Sequence, residues 1–433
     1  MSEITNRAAP PPPTAAEKLK FYGLWIATAI FLLVLPKVFG SGGALTTFSL
    51  IGISIIFALS YNILLGQTGM LSFGHAVYYG IGGFLVIHAI NIIGGNKWPI
   101  PLPFVPLIGG LTGLAFAILL GWVSTQRSGT AFAMISLGVA ELVASSALIL
   151  RTFFGGEAGI SANRTKLLKF FDWNFGPQIQ IYYLVAAWTL ICMIAMYALT
   201  RTPLGRMCNA VRDNPERVQF VGYDPHVVRY IAFCFSGFFA GIAGALAAIN
   251  FEIANSAYLG AVQSGTVLFA AYIGGIGFFI GPVVGAIFVT ILSLGLSDLT
   301  TVWQLYFGLI FIAVVVFAPG GITGLLMMHR PLVRSGMLGR VIPSYLVALV
   351  PTLALLLGLM LGIESIVHYT MNSMEDPNIK AFGIPFNAAS PVTWAASVIL
   401  IVGGFMVARM TWKRIALAWD EALTAARARE MAV

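Results

Sequence analysis

The stretch ALTTFSLIGISIIFALSYNILL, residues 44–65, decides the fold: 22 residues pass without a charge. The hydrocarbon core of a bilayer is about 30 Å thick and takes about 20 helical residues to cross. No water is present there to satisfy backbone N–H and C=O groups, so a lipid-facing run of this length must be helical. The same ruler, moved outward along the chain, finds twelve apolar runs: 21–38, 44–65, 72–93, 104–124, 130–152, 181–200, 228–250, 261–280, 282–297, 303–318, 341–363 and 391–408. Runs 72–93, 261–280 and 282–297 are short or glycine-rich and are candidates for half-helices or re-entrant segments. The fold class is therefore all-α, a polytopic membrane protein with about 10 core transmembrane or re-entrant helices and about 2 more towards the C-terminus.

Composition agrees. Of 433 residues, 58% are hydrophobic and 9% charged, where soluble chains carry about 25% charged residues. A charge at the centre of a span costs about 2.5–3.5 kcal/mol, which keeps charges scarce. The net charge of +8 is the Lys and Arg surplus that membrane proteins leave in the cytoplasm, not a nucleic-acid footprint. With both ends placed in the cytoplasm, Lys and Arg divide 17 inside against 7 outside. Loop 151–180 resists this placement, since it lies outside yet holds Arg151, Arg164, Lys166 and Lys169. Residues 1–20 are polar, with Pro10 to Pro13 favouring a disordered cytoplasmic arm. Cys192, Cys208 and Cys234 have no metal-ligand spacing and read as structural, and no His, Asp or Glu cluster suggests a metal.

Loop 201–229 carries the richest chemistry. Thr202 followed by Pro203 suits an N-cap with proline at the first helical position. Leu204, Met207, Cys208 and Val211 then recur at three- and four-residue steps on a short amphipathic helix. Asp213-Asn214-Pro215-Glu216 restarts a second helix with Val218, Phe220 and Val221 as its apolar residues. Such a helix rimmed by arginines either docks in another protein's groove or is a solvated loop obeying the positive-inside rule. A phosphate-binding loop needs two glycines separated by four residues and followed by Lys and Ser or Thr, and no glycine-rich stretch here has that lysine. The chain thus encodes no ATPase of its own.

Glycines recur every fourth residue at Gly109 and Gly113, at Gly237 and Gly241, and at Gly277, Gly281 and Gly285, a spacing that lets helices approach closely in lipid. Ionisable residues within spans are few. Glu141 either lines a pathway or meets a neighbouring helix or partner subunit. His75, with Gln67 and Ser72, contacts either a solute or broken backbone. Gly274 and Gly275, in one of two faintly similar glycine-interrupted segments, complete the pathway candidates.

Three sets of motifs together resemble the permeases of branched-chain amino acid ATP-binding cassette transporters. The first is YNILLGQTGMLSFGHA at 61–76 with YGIGGF at 79–84. The second is TPLGR at 202–206, AVRDNPER at 210–217, Gly222-Tyr223, Phe235-Ser236-Gly237 and AGIAGAL at 240–246. The third is Ile273 to Gly277, GPVVGA at 281–286 and PGGITGL at 319–325. The long loop with GGEAGI at 155–160 is similar to that of the family's larger, second permease type. The resemblance covers 21–326 and implies a permease domain there, followed by an extension over 327–433 with two spans and a cytoplasmic amphipathic tail. It also implies a multi-pass bacterial inner-membrane location. The expected function is import of amino acids, branched-chain ones first, with urea or another small amide as the alternative solute and a secondary transporter or channel as the alternative class.

The implied partners are a paralogous permease, two ATP-binding subunits and an extracytoplasmic solute-binding protein, with membrane lipid around them. No cofactor is bound by this chain, and ATP is used by the partner subunits. Pro203, Leu204, Gly205, Arg206, Arg212, Asn214, Glu216 and Arg217 are then the residues expected to couple to the ATPase. The chain departs from the family in two places. Thr266 stands where a carboxylate is expected, and about a hundred residues follow Leu326. In that extension Trp412, Ile415, Trp419 and Leu423 form a stripe flanked by Lys413, Arg414, Asp420, Arg427 and Arg429, which predicts a helix lying at the membrane surface.

Overall fold

The computed structural model describes residues 15–171, 173–371 and 378–431. Residues 1–14 of the expected arm lie outside them, as do Glu375 and Asp376, which the sequence places between the apolar runs 341–363 and 391–408, and the side chains of Arg427 and Arg429. The helices are α1 (Ala15–Val38), α2 (Gly42–Asn62), α3 (Ala76–Asn96), α4 (Val105–Ser124), α5 (Thr130–Ile149), α6 (Arg151–Phe154), α7 (Gln178–Arg201) and α8 (Pro203–Asp213). They continue as α9 (Pro215–Phe220), α10 (Pro225–Phe251), α11 (Ala261–Gly274), α12 (Gly281–Leu299), α13 (Trp303–Phe317), α14 (Gly321–Arg334), α15 (Leu338–Met371) and α16 (Pro391–Met431). Among the described residues nine helices are long and apolar enough to cross a membrane, or up to ten if α13 and α14, bent by 42°, form one span. The chain divides after Leu268 into two compact units.

The first unit is built on α10, which is buried along most of its apolar length between α2, α3 and α4. Its small residues explain how. A side chain on Gly241 would overlap the carbonyl oxygen of Gly109, one on Gly113 that of Gly237, and one on Gly244 that of Tyr79. The backbones of α4 and α3 therefore lie directly on α10. In lipid, burial of apolar area supplies no drive between helices, so close van der Waals contact along such seams must hold them. The expected packing role of Gly109, Gly113, Gly237 and Gly241 is the observed one.

Loop 151–180 folds back on the C-terminal end of α10. Its strand β1 (Ile160–Ser161) pairs antiparallel with β2 (Ile253–Ala254). Arg164 is buried, and its guanidinium donates to the carbonyls of Phe175 (2.8 Å), Ile249 and Asn250 (3.0 Å each) and Gly176 (3.1 Å). Two of those carbonyls belong to the last turn of α10, where a cation also opposes the helix dipole. Burial lowers the pKa of Arg164, and Glu252, 3.7 Å away, opposes that shift. The arginine that sits awkwardly with the charge rule is thus the pin that closes this loop.

In the second unit two broken helices meet. Of the three runs expected to be irregular, 261–280 is the short helix α11, 14 residues long, ending at Gly274, whereas 282–297 is the unbroken 19-residue α12. Run 72–93 is helical only from Ala76. Gly281 and Gly285 are crowded by the carbonyls of Gly275 and Ala270, while Gly277 has open space around it and takes no part in packing. α15 and α16 pack on each other and on α14. Their connection carries a hairpin of β3 (Asn378–Ala381) and β4 (Ile384–Asn387). α16 runs 41 residues without a break, so the span and the aromatic stripe are one helix of about 60 Å. The stripe is partly engaged within the unit. Trp419 packs with Leu332, Met337 and Val341 and stands 4.9 Å from the His329 ring, while Trp412 is exposed.

Gly241→Val is expected to destabilise the chain by about 1–3 kcal/mol through overpacking. The check is a thermal melt of the detergent-solubilised protein monitored by size exclusion, with Gly277→Ala expected to melt like the parent.

Candidate functional site

The site is built where α2 breaks. α2 ends at Asn62 and continues as a π-helical turn, Ile63–Thr68, closed by Gly69 in the left-handed conformation at φ 71°. Residues 69–75 then run irregularly to α3. Their polar groups are satisfied by neighbours: Tyr61 Oη donates to the Ser72 carbonyl (3.0 Å), the Gly74 N–H to Ser72 Oγ (3.3 Å), the Phe73 N–H to Ser136 Oγ on α5 (3.0 Å) and the Ala76 N–H to Ser264 Oγ on α11 (3.0 Å). Broken backbone in a membrane is tolerated where protein groups replace the lost ladder, as here.

His75 sits in this packing. It is fully buried, its Nε2 lies 2.9 Å from Ser60 Oγ, and its ring stacks on Phe57 at 5.3 Å with Tyr61 edge-on. Its Nδ1 has no partner among the described residues. Ser72 thus bonds the broken backbone, while His75 ties the segment to α2 through the Ser60 side chain.

Below the break lies α8. Thr202 Oγ1 caps it at 3.3 Å from the Gly205 N–H with Pro203 at the first position, and Asn214 Oδ1 caps α9 at 3.0 Å from the Arg217 N–H. The apolar face turns inward on this chain: Gly205, Cys208 and Val211 are buried, and Leu204 and Met207 are partly so. Gly205 is tight because a side chain would meet the backbone of Thr200 at the end of α7. Arg212 crosses to the π-helical turn and donates through Nη1 to the Gly66 carbonyl, with Nε 3.1 Å from Asp213 Oδ1. Asn209 Nδ2 donates to Gln67 Oε1 at 3.0 Å. Gln67, one of the pathway candidates, thereby links the π-helical turn to α8. Burial pushes the Cys208 thiol up to about 12.

The outward rim consists of Pro203, Arg206, Glu216 and Arg217, with Phe220 at 90% and Val221 at 72% exposure. An almost bare Phe beside a bare Val is an apolar knob on a charged surface, the arrangement of a protein contact. The sequence pattern groups both with Val218 as apolar residues of one helix; only Val218 turns inward. Asn209 is absent from the sequence-based candidates, although its place beside Cys208 on the buried side of a helix marks a polar group needing a partner.

The remaining candidates lie elsewhere. Glu141 is exposed on the surface of α5, about 140° around the helix from Ser136, which touches the irregular segment. Gly274 and Gly275 sit at the crossing of the two broken helices. Gly275 has φ 109°, a side chain there would overlap the Gly320 carbonyl, and one on Gly321 would lie 2.5 Å from the Gly275 nitrogen. Thr323 Oγ1, buried beside this crossing, has no partner among the described residues.

A family model described as branched-chain amino acid transport system, permease component, matches residues 43–319. The chain is 26% identical over 329 residues to the high-affinity branched-chain amino acid transport system permease protein LivM of Escherichia coli, covering 71% of this chain and 76% of that protein. It is 25% identical over 321 residues to LivH of the same organism, covering 68% and 96%. It is 27% identical over 235 residues to the fructose import permease protein FrcC of Rhizobium meliloti, covering 51% and 63%. No solved structure matches the chain.

With a thiol pKa of about 12, Cys208 holds about one part in ten thousand thiolate at pH 8. In a background lacking Cys192 and Cys234 it is expected to resist maleimide. Adding Arg212→Met with Asn209→Ala, which frees α8 from the π-helical turn, is expected to speed labelling at least roughly tenfold; labelling kinetics give the answer.

Proposed function

Since the chain belongs to the branched-chain amino acid transport system permease family, we propose that it is one of two paired permeases in an importer of branched-chain amino acids. As a multi-pass inner-membrane component of an ATP-binding cassette transporter it is no enzyme itself. In this reading two ATP-binding subunits hydrolyse ATP, and an extracytoplasmic binding protein delivers the solute. The observation that supports the substrate is the branched-chain permease family model over residues 43–319, together with 26% identity to the branched-chain permease LivM along most of both chains.

Movement of the ATP-binding subunits enters through the Phe220–Val221 knob and the charged rim of Arg206, Glu216 and Arg217. The capped helices α8 and α9 carry it as a rigid piece, because their inner face is packed. Arg212 and Asn209 pass it to Gly66 and Gln67, on the one turn of α2 that is already unwound from the α-helical ladder. Solute passes by alternating access along the broken segments. Glu141 faces the paired permease, since a bare carboxylate in lipid costs a few kcal/mol.

The test is ATP-dependent uptake by the complete complex in liposomes, with leucine, ribose, fructose and urea as competing solutes. Leucine is expected to accumulate. Accumulation of urea or a sugar in its place contradicts the substrate assignment. Phe220→Asp is expected to lower leucine uptake roughly tenfold or more, the equivalent of about 1.4 kcal/mol at a contact, with normal membrane insertion.

A further inference from the structure

The second unit holds a cavity that the transport reading leaves unused. It has a volume of about 270 Å³ and lies between the end of α12 and the C-terminal extension, with Asp298 and Thr300 on one side and Glu364, His368 and Lys380 on the other. Glu364 is 8% exposed. Its Oε1 accepts from Thr300 Oγ1 at 2.7 Å and from Tyr306 Oη at 3.1 Å, which fixes the carboxylate and leaves Oε2 for another donor. His368 is 6% exposed, lines the same cavity, and makes no hydrogen bond or ion pair in the described structure. Its ring nitrogens are not sealed in the interior, so they open on the cavity and stand free to meet a ligand there.

The charges are as informative as the burial. Two carboxylates, a lysine and an imidazole line one small cavity, yet among the described residues none forms an ion pair with another. The wall therefore keeps its opposite charges apart instead of letting them neutralise each other. A metal ion would need three converging ligands, and no three of the described His, Cys, Asp and Glu side chains converge in that way. Leu299, Val367 and Ile379 supply a short aliphatic wall. The volume is at the small end of ligand sites.

We infer that this cavity is a binding site for a small aliphatic zwitterion, a molecule carrying both a primary ammonium and a carboxylate. The ammonium meets Glu364 and Asp298, the carboxylate meets Lys380 and His368, and the short apolar body lies on Leu299, Val367 and Ile379. Such a molecule satisfies both signs at once, which a plain cation or anion cannot. The extension supplies Glu364, His368 and Lys380, so the site exists only in a chain that carries it. The site rests on the cavity alone and does not require the transport reading.

Equilibrium dialysis of the purified full-length chain in lipid nanodiscs, without ATP or partner subunits, tests it with L-leucine as the probe. Saturable binding is expected, weakened at least tenfold by Glu364→Gln and by Lys380→Met. Glu364→Gln keeps a side-chain oxygen for Thr300 and Tyr306. Lys380 lies on an exposed hairpin, so its variant decides the matter if the other misfolds. 3-Methylbutylamine and 4-methylpentanoate, each lacking one charge of leucine, are expected to bind at least tenfold more weakly than leucine. Absence of saturable binding, leucine binding unchanged by Lys380→Met, or either half-ligand matching leucine would overturn the site. Uptake by the assembled complex is a separate measurement, so failure of either reading leaves the other standing.

Discussion

Backbone lies against backbone where α10 crosses α3 and α4. Gly241 meets the carbonyl of Gly109, Gly113 that of Gly237 and Gly244 that of Tyr79, with no room for a single carbon between them. In water such a seam would be one contribution among many. In lipid, where burial of apolar side chains gives no net drive between helices, close approach of this kind is the main source of cohesion. It fixes α3, and α3 fixes the irregular segment that precedes it, because residues 69–75 have no helical ladder of their own.

That segment explains why α2 ends in a π-helical turn. Hydrogen bonds from Tyr61, and to Ser136 and Ser264, take up the backbone groups released by the break, and the aromatic packing around His75 fills the space. The turn's free carbonyl at Gly66 and the side chain of Gln67 then become attachment points for α8 through Arg212 and Asn209. A helix attached in this way has little apolar face left for a partner. What remains outward is the rim ending at Phe220 and Val221.

Much of this is legible in the sequence, and the failures have physical causes. Span positions follow from run length alone, because hydrocarbon allows few alternatives. The caps at Thr202 and Asn214 follow from side-chain chemistry, which acts over three residues and needs no tertiary knowledge. Gly205 illustrates what is hidden. Its need for space is readable, but the neighbour is the chain's own α7. Gln67 and His75 stand out as special polar residues, yet the side chains they bond, Asn209 and Ser60, lie 142 and 15 positions away. The amphipathic pattern of α8 has the same limit, since periodicity identifies an apolar face without saying which protein covers it. α16 reads as two elements because polarity changes along it, while the helical backbone continues regardless.

α8 turns its apolar face to its own chain, and α9 is proposed to present Phe220 to an ATP-binding partner. Site-directed cross-linking from Phe220→Cys, in a cysteine-free background of the assembled complex, addresses it directly. A short-reach cross-link to the ATP-binding subunit is predicted, with none from a cysteine placed at Val211. A cross-link from position 211 and none from position 220 would contradict it.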